Sequence, residues 1–567
     1  MSQSHVQRNP KKHRYDAIVV GSGITGGWAA KELCENGLET LVLERGKNVE
    51  HIKDYTTALS EPWELPNRGN VTPQWQVRNP IMAHKGSVNA ANQRFFLEDA
   101  AHPYVQSKPF HWIRGYQVGG KSLMWARMTQ RWGEMDFAAN AKDGHGVDWP
   151  IRYKDLAPWY SHVEKFAGIS GSKEGLPQLP DGEFLPPMEF TCMEAHVKKI
   201  VEKKFKGRNV INPRCANLTQ HHKGRGPCQF RNRCNRGCPF TGYFSSNGAS
   251  LPAAATTGKL TLRPEAVVHS IIYDKESGKA KGVRVIDAET KETTEYFSRI
   301  VFLNAGTLNS LLILMNSTSD RFPNGLGNDH DVLGRYIMDH NYRAKVSGTF
   351  TGLQDKYHFG GRPAGAYVPR FRNVGSDKQS FLRGYCYGFR GLRSSSNVNK
   401  DTPPIGAGLK LAMSEPGVWN VGLNGMGEHL PYYDNRMTLS KREVDPWGIP
   451  QVKVDCTYRE NEEEMIKDIH ASGIEMLEAV GCENIKTRNT QQPPGQAIHE
   501  MGGAPMGRDA KTSMLNFRNQ LHSVSNVFVS DGACMNSSAC QNPSLTYMAL
   551  TARAANLAVG ELKKGNL

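Results

Sequence analysis

No stretch of the chain approaches the roughly 18 consecutive apolar residues that a membrane-spanning helix needs. Met1–Arg14 is polar and basic, with neither an apolar run nor a twin-arginine pair. It therefore does not read as a secretory signal and is expected to be a flexible tail, residues 1–14. Cysteine is sparse, 11 in 567 residues, which argues against a disulfide scaffold. Internal repeats, low-complexity linkers and long polybasic arms are also missing. The formal net charge of +15 is scattered, densest at Lys11–Arg14 and Arg225–Arg236, so it predicts a basic surface and no nucleic-acid partner.

What is present suits a large enzyme. The hydrophobic fraction of 38% excludes a disordered chain and supplies a sizeable core. Gly is abundant at 56 residues, which suits loop-rich architecture better than a helical array. Tyr15–Val20 is a short apolar run ending at Gly21 and reads as a buried parallel strand. Gly21-Ser-Gly23-Ile-Thr-Gly26 follows, then a helical pattern over Trp28–Glu35, then a second apolar strand, Thr40–Leu43, closing at Glu44. This is the strand–turn–helix–strand order of a dinucleotide site. Gly21 permits the tight turn, Gly23 lets backbone approach a pyrophosphate, and Gly26 lets helix and strand pack closely. The helix N-terminus attracts phosphate charge, and Glu44 is placed to accept from ribose hydroxyls. The fingerprint does not distinguish NAD from FAD.

Further on, Val267–Asp274 and Gly282–Ile286 flank a turn-rich segment and predict a hairpin. Arg299–Asn304 is another buried strand, ending at Ala305-Gly306, and Val527–Ser530 is a last one before Asp531-Gly532. Asn461–Val480 carries apolar residues at helical spacing and reads as a core-facing helix. A final helix is expected from about Pro543 to Lys563.

The C-terminal run His499-Glu-Met-Gly-Gly-Ala-Pro-Met-Gly507, followed by Gln541-Asn542-Pro543-Ser-Leu-Thr546, resembles the glucose–methanol–choline (GMC) oxidoreductases, which are FAD enzymes. The resemblance implies an α/β fold with an α+β substrate part: a Rossmann-like FAD domain interleaved with an antiparallel-sheet substrate domain. It places the FAD domain at 15–135, 195–330 and 497–567, and the substrate domain at 136–194 and 331–496. It implies His499 as the catalytic base and Asn542 as its partner on the substrate hydroxyl. A neutral imidazole suits proton removal near neutral pH, and a carboxamide can orient the same hydroxyl. Taken alone, His499 favours a structural histidine and Asn542 reads reasonably as a helix cap before Pro543; the paired motif reverses the odds for His499, and both roles can coexist at Asn542. The helix from Pro543 would aim its positive end at the flavin. Asp531, Gly532, Val268 and Ala305 are expected beside the cofactor, with Gly119, Gly120 and Ser122 in a second glycine loop. Met124 stands where some relatives carry a flavin-linking histidine, which implies non-covalent FAD.

Cys228, Cys234 and Cys238 lie within eleven residues among Arg225, Arg231, Arg233 and Arg236. Positive charge favours thiolate, and thiolates bind metal. The spacing resembles large subunits of bacterial sugar dehydrogenases, which implies a [3Fe–4S] cluster; a zinc site completed by Cys215, His221 or His222, and free thiols, stay open. Glu428 and Glu500 are candidates for holding sugar hydroxyls, or structural ion pairs. Tyr357–Arg362 reads as a lid or an ordinary loop. The branch resembled, that of glucoside 3-dehydrogenase, gluconate 2-dehydrogenase and fructose dehydrogenase, implies oxidation of a sugar or glycoside, at C3 first. It further implies a cytochrome-type acceptor, and a small subunit that carries the export signal to a bacterial periplasm. A cytoplasmic site, an oxidase using O₂, and a non-enzymatic flavoprotein are the alternatives, the last opposed by the His499–Asn542 pair.

Overall fold

Strand β1 (Arg14–Val20), helix α1 (Ile24–Glu35) and strand β2 (Thr40–Leu43) form the expected unit in the computed structural model, which describes residues 5–358, 360–399 and 401–567. Gly21 takes a φ of 95°, open to glycine alone without strain. A Cβ at Gly26 would lie 1.8 Å from the Gly21 carbonyl oxygen, so helix and strand touch backbone to backbone. β1 pairs in parallel with β2 and with Thr293–Leu303; β2 continues in parallel to Leu260–Arg263, and Val527–Val529 adds to Thr293–Leu303. Ala266–Asp274, Lys279–Asp287 and Thr293–Leu303 run antiparallel, so the predicted hairpin is present. One seven-stranded sheet thus collects strands from both ends and the middle of the chain.

A second sheet is antiparallel, in the order 366–368, 385–393, 419–427, 344–350, 483–489. Helix Glu460–Val480 covers it with Met465, Ile466, Ile469, Met476, Leu477 and Val480, the face read from the spacing.

Three expected boundaries shift. Helix Tyr153–Ala167 lies in the segment assigned to the substrate domain, yet Leu156, Tyr160 and Val163 pack into the core of the nucleotide sheet. Helix Cys192–Lys204, split by the boundary at 195, packs Met193, Val197 and Val201 into the second core. Strand Arg436–Val444 pairs with Pro450–Asp455, which pairs in turn with Val105–Gln106, and the two bury Met437, Val452 and Val454 in the first core. In each case the apolar face, rather than position along the chain, selects the partner. The tail is also corrected. From His5 onward it adds to the open edge of the seven-stranded sheet: Leu262 donates its N–H to the His5 carbonyl at 2.8 Å and Gln7 returns one to Leu262 at 2.9 Å. An edge strand leaves backbone groups unpaired, and this segment satisfies them. Arg8 adds ion pairs with Glu265, Asp287 and Glu289. No helix of the described residues is long and apolar enough to cross a membrane.

Candidate active site

A cavity of about 630 Å³ runs from the β1–α1 turn to the imidazole of His499. At one end Gly21, Gly23, Glu44, Gly120, Ser122, Val268, Ala305, Asp531 and Gly532 line it. A Cβ at Gly23 would meet no atom within 4 Å, so backbone faces open space of the kind a pyrophosphate would fill. Glu44 is buried and held in place: Ser22 donates from N–H at 3.1 Å and from Oγ at 2.6 Å, and Gly46 N–H donates at 3.0 Å. Burial raises its carboxyl above the ordinary range. Asp531 accepts from Gly306 N–H, Ser310 Oγ and Ala533 N–H, and burial pushes it up to about 6. The elongated cradle fits a dinucleotide. Gly26, Gly119 and Pro543 stand behind the wall: Gly26 seats the helix, Gly119 donates its N–H to Ser22 Oγ at 3.0 Å, and Pro543 caps helix Ser544–Lys563.

His499, Asn542, Glu500 and Ser544 form the other end. Asn542 Nδ2 lies 3.2 Å from His499 Nε2. Asn542 does not cap the following helix with its side chain, so the amide is committed to the imidazole. Two residues outside the sequence-derived set hold His499. Asp339 accepts N–H bonds from Gly495 at 2.7 Å, Ala497 at 3.1 Å and His499 at 3.0 Å. These bonds clamp a turn in which Ile498 has a φ of 64°, a strained position for a β-branched residue. His340, fully buried, meets His499 Nδ1 to Nδ1 at 3.0 Å with the rings 83° apart. Ligand atoms of Asp339, His340 and His499 all lie within 4.8 Å of one another. Hydrogen bonds already occupy them, so the group is a support for His499. Burial first, then the neighbouring His340 ring and the positive charges of Lys85 and Lys121, lowers His499 well below the ordinary histidine range, leaving a neutral imidazole. Local motif reading had no signal for Asp339-His340, which follows strand Arg335–Met338.

The two carboxylate candidates separate. Glu500 lines the cavity, 3.1 Å from Lys121 Nζ. Glu428 does not: it is fully buried between Arg370 at 2.9 Å and Arg383 at 3.7 Å, and this partnered position keeps it from substrate. The loop Tyr357–Arg362, apart from Phe359, which lies outside the described residues, leans on the cysteine segment: Gly361 N–H donates to the Phe230 carbonyl at 2.7 Å.

Cys234 reaches the cavity wall; Cys228 and Cys238 are half-buried behind it. Burial pushes the Cys228 thiol up to about 11, with contributions from Cys234, Cys238 and Cys215, so the sulfurs share one neighbourhood. Gly242 N–H points at Cys238 Sγ from 3.3 Å. Backbone N–H groups aimed at sulfur suit iron–sulfur ligation. A single zinc ion would draw its sulfurs to about 3.8 Å from one another. The three cysteines are not among the described groups gathered within 4.8 Å. Two of the three candidate fourth zinc ligands are otherwise engaged: Cys215 Sγ contacts Ser170 Oγ and the Pro213 carbonyl, and His222 Nε2 bonds the Lys165 carbonyl at 2.9 Å.

Family models described as GMC oxidoreductase match residues 15–342 and 431–551. The chain belongs to the GMC oxidoreductase family. It is 25% identical to the fructose dehydrogenase large subunit of Gluconobacter japonicus over 97% of this chain and 98% of that one. Over 51% of either chain it is 25% identical to a C-glycoside 3-oxidase of Arthrobacter globiformis. A solved formate oxidase of Aspergillus oryzae RIB40 shares the fold at 14% identity with a TM-score of 0.58, covering 98% of this chain and 100% of that one. As a family member the protein is an FAD-dependent oxidoreductase acting on sugar or alcohol hydroxyls.

Proposed function

We propose that this GMC enzyme oxidises a secondary hydroxyl of a sugar or glycoside, at C3 first, with FAD held non-covalently and electrons leaving through an iron–sulfur cluster. The observation that carries the reading is the His499–Asn542 pair, 3.2 Å apart in the wall of the cavity that also contains the Gly21–Glu44 cradle. A substrate hydroxyl entering between them would donate its proton to Nε2 and accept from the Asn542 amide. The imidazole is neutral at pH 7, so it takes that proton without first losing one. Free N–H groups at the start of helix Ser544–Lys563 face the same end and favour developing negative charge. Bound FAD supplies the hydride acceptor.

Both curated relatives act on sugars or glycosides by name, and the C-glycoside 3-oxidase supports the choice of C3. Cys228, Cys234 and Cys238 would hold a [3Fe–4S] cluster, whose chemistry is one-electron transfer; the exit of Cys234 onto the cavity wall favours this route. We further propose a cytochrome-type acceptor and a small subunit that carries the protein to the periplasm. The second reading is an oxidase that reduces O₂ to hydrogen peroxide, favoured by the oxidase names among the relatives.

Anaerobic reduction of the flavin by a panel of glycosides, sugars and sugar acids, with products identified by NMR, tests the reaction. A 3-keto product is expected; no bleaching by any sugar would sink the reading. Iron analysis and electron paramagnetic resonance of the oxidised protein test the cluster, and an iron-free enzyme with full dye-linked activity would remove it. Stoichiometric hydrogen peroxide would decide for the oxidase.

A further inference from the structure

Two ring nitrogens 3.0 Å apart share one proton: one ring donates and the other accepts. His340 decides which. Its Nε2 lies 3.0 Å from the Ala539 carbonyl oxygen, which can only accept, so Nε2 carries hydrogen. Burial lowers the ring to about 3, so it is neutral and has no second N–H. Its Nδ1 is therefore a bare acceptor, and the shared proton sits on His499 Nδ1. His499 Nε2 is left with a lone pair directed at Asn542, whose Nδ2 donates to it.

We infer that His340 is a positioning residue that fixes the His499 tautomer in which Nε2, the nitrogen facing the cavity, is the proton-accepting one. The inference rests on the reading of His499 as the base. His340 does not line the cavity; it acts through His499. The charged and titratable groups facing the ring pair are Asp339, Lys85, Lys121, Glu500 and, beside His340, His429. Ala539 itself has a left-handed φ of 51°, so the carbonyl that sets the orientation is presented by a strained residue.

Two polar variants of the FAD-loaded enzyme separate this role from simple filling of space. In His340→Asn the amide oxygen stands near the position of Nδ1 and can accept from His499. In His340→Gln the amide reaches Ala539, but no acceptor is left at Nδ1. The limiting rate of anaerobic flavin reduction should fall by roughly a hundredfold or more in His340→Gln, with substrate affinity little changed; a wrong imidazole tautomer costs about 10⁴ in serine proteases. His340→Asn should stay within about tenfold of wild type. The acid limb of the pH profile should move to lower pH in His340→Gln, because the acceptor that holds the His499 Nδ1 proton is gone, and stay near that of wild type in His340→Asn. Equal rates in the two variants, whether both high or both low, would overturn the inference while leaving His499 as the base. If His499→Ala bleached normally, the underlying reading would fall instead.

Discussion

The dinucleotide cradle and the imidazole wall share one cavity, yet the chain assembles them in opposite ways. The cradle is nucleated by one run, Gly21 to Glu44, held by the local contacts of Ser22 with Glu44 and Gly26 with Gly21, and distant glycines and Asp531 only complete its rim. The wall is drawn from three distant places, with His340 separated from His499 by 159 residues and Asn542 by 43. The cradle depends on the absence of side chains, the wall on the saturation of every buried polar atom around one ring. Substitutions at the first should therefore act through packing and cofactor retention, and substitutions at the second through the rate of a proton transfer.

The largest effect is expected from Gly26→Val. Its Cβ would fall 1.8 Å from a backbone oxygen that cannot move aside, so flavin absorbance per protein should vanish together with soluble yield. Gly23→Ala sharpens the comparison, since its Cβ meets no protein atom. The apoprotein should melt as wild type does while FAD affinity drops. A melting point that fell with the affinity would show that Gly23 serves the fold rather than the cofactor. On the other wall, Asn542→Ala should keep FAD and slow flavin reduction by roughly ten- to a hundredfold, measured by anaerobic stopped flow. Unchanged kinetics would return Asn542 to a structural role.

Smaller still is Asp339→Asn, which exchanges a carboxylate that accepts three N–H bonds for an amide that cannot accept them all. A loss of about 1–3 kcal/mol in unfolding free energy is expected. Ile498→Gly should have a smaller effect on stability. It relieves a left-handed β-branched residue worth about 1–2 kcal/mol, less the entropy that glycine adds to the unfolded chain. The packing of the Ile498 side chain against Met82, Leu97 and Ile113 is lost as well, so net stability should change little while flavin reduction slows. A variant that reduces flavin as fast as wild type would mean that the strained turn does not aim His499.

This contrast also explains what could be seen in the sequence. The β1–α1–β2 unit was legible because its chemistry is spaced along one continuous stretch, and the helix Glu460–Val480 because its apolar period is long and regular. His499 and Asn542 were legible only as a resemblance, since nothing local distinguishes a catalytic histidine from a packed one. His340 carries no pattern at all; its role exists only once the chain has folded. Glu428 illustrates the same limit. The sequence left it open between a substrate carboxylate and a structural ion pair, and the Arg370 and Arg383 side chains that decide for the ion pair arrive from other segments. The docking of His5–Arg14 was hidden for the same reason: a polar segment gives no apolar signal, and the backbone pairing that holds it belongs to a sheet edge elsewhere.

The central claim is that a neutral His499 removes the substrate proton. Since burial and neighbouring positive charge lower its proton affinity, the wild-type rate of anaerobic flavin reduction should be level through the range in which an ordinary histidine titrates and fall only in more acidic solution, as the base becomes protonated. The most direct measurement is that rate in His499→Gln at pH 7, with FAD content checked in the same sample. Full FAD occupancy with bleaching slowed by roughly 10²–10⁴ is the expected result; bleaching at the wild-type rate would contradict the account.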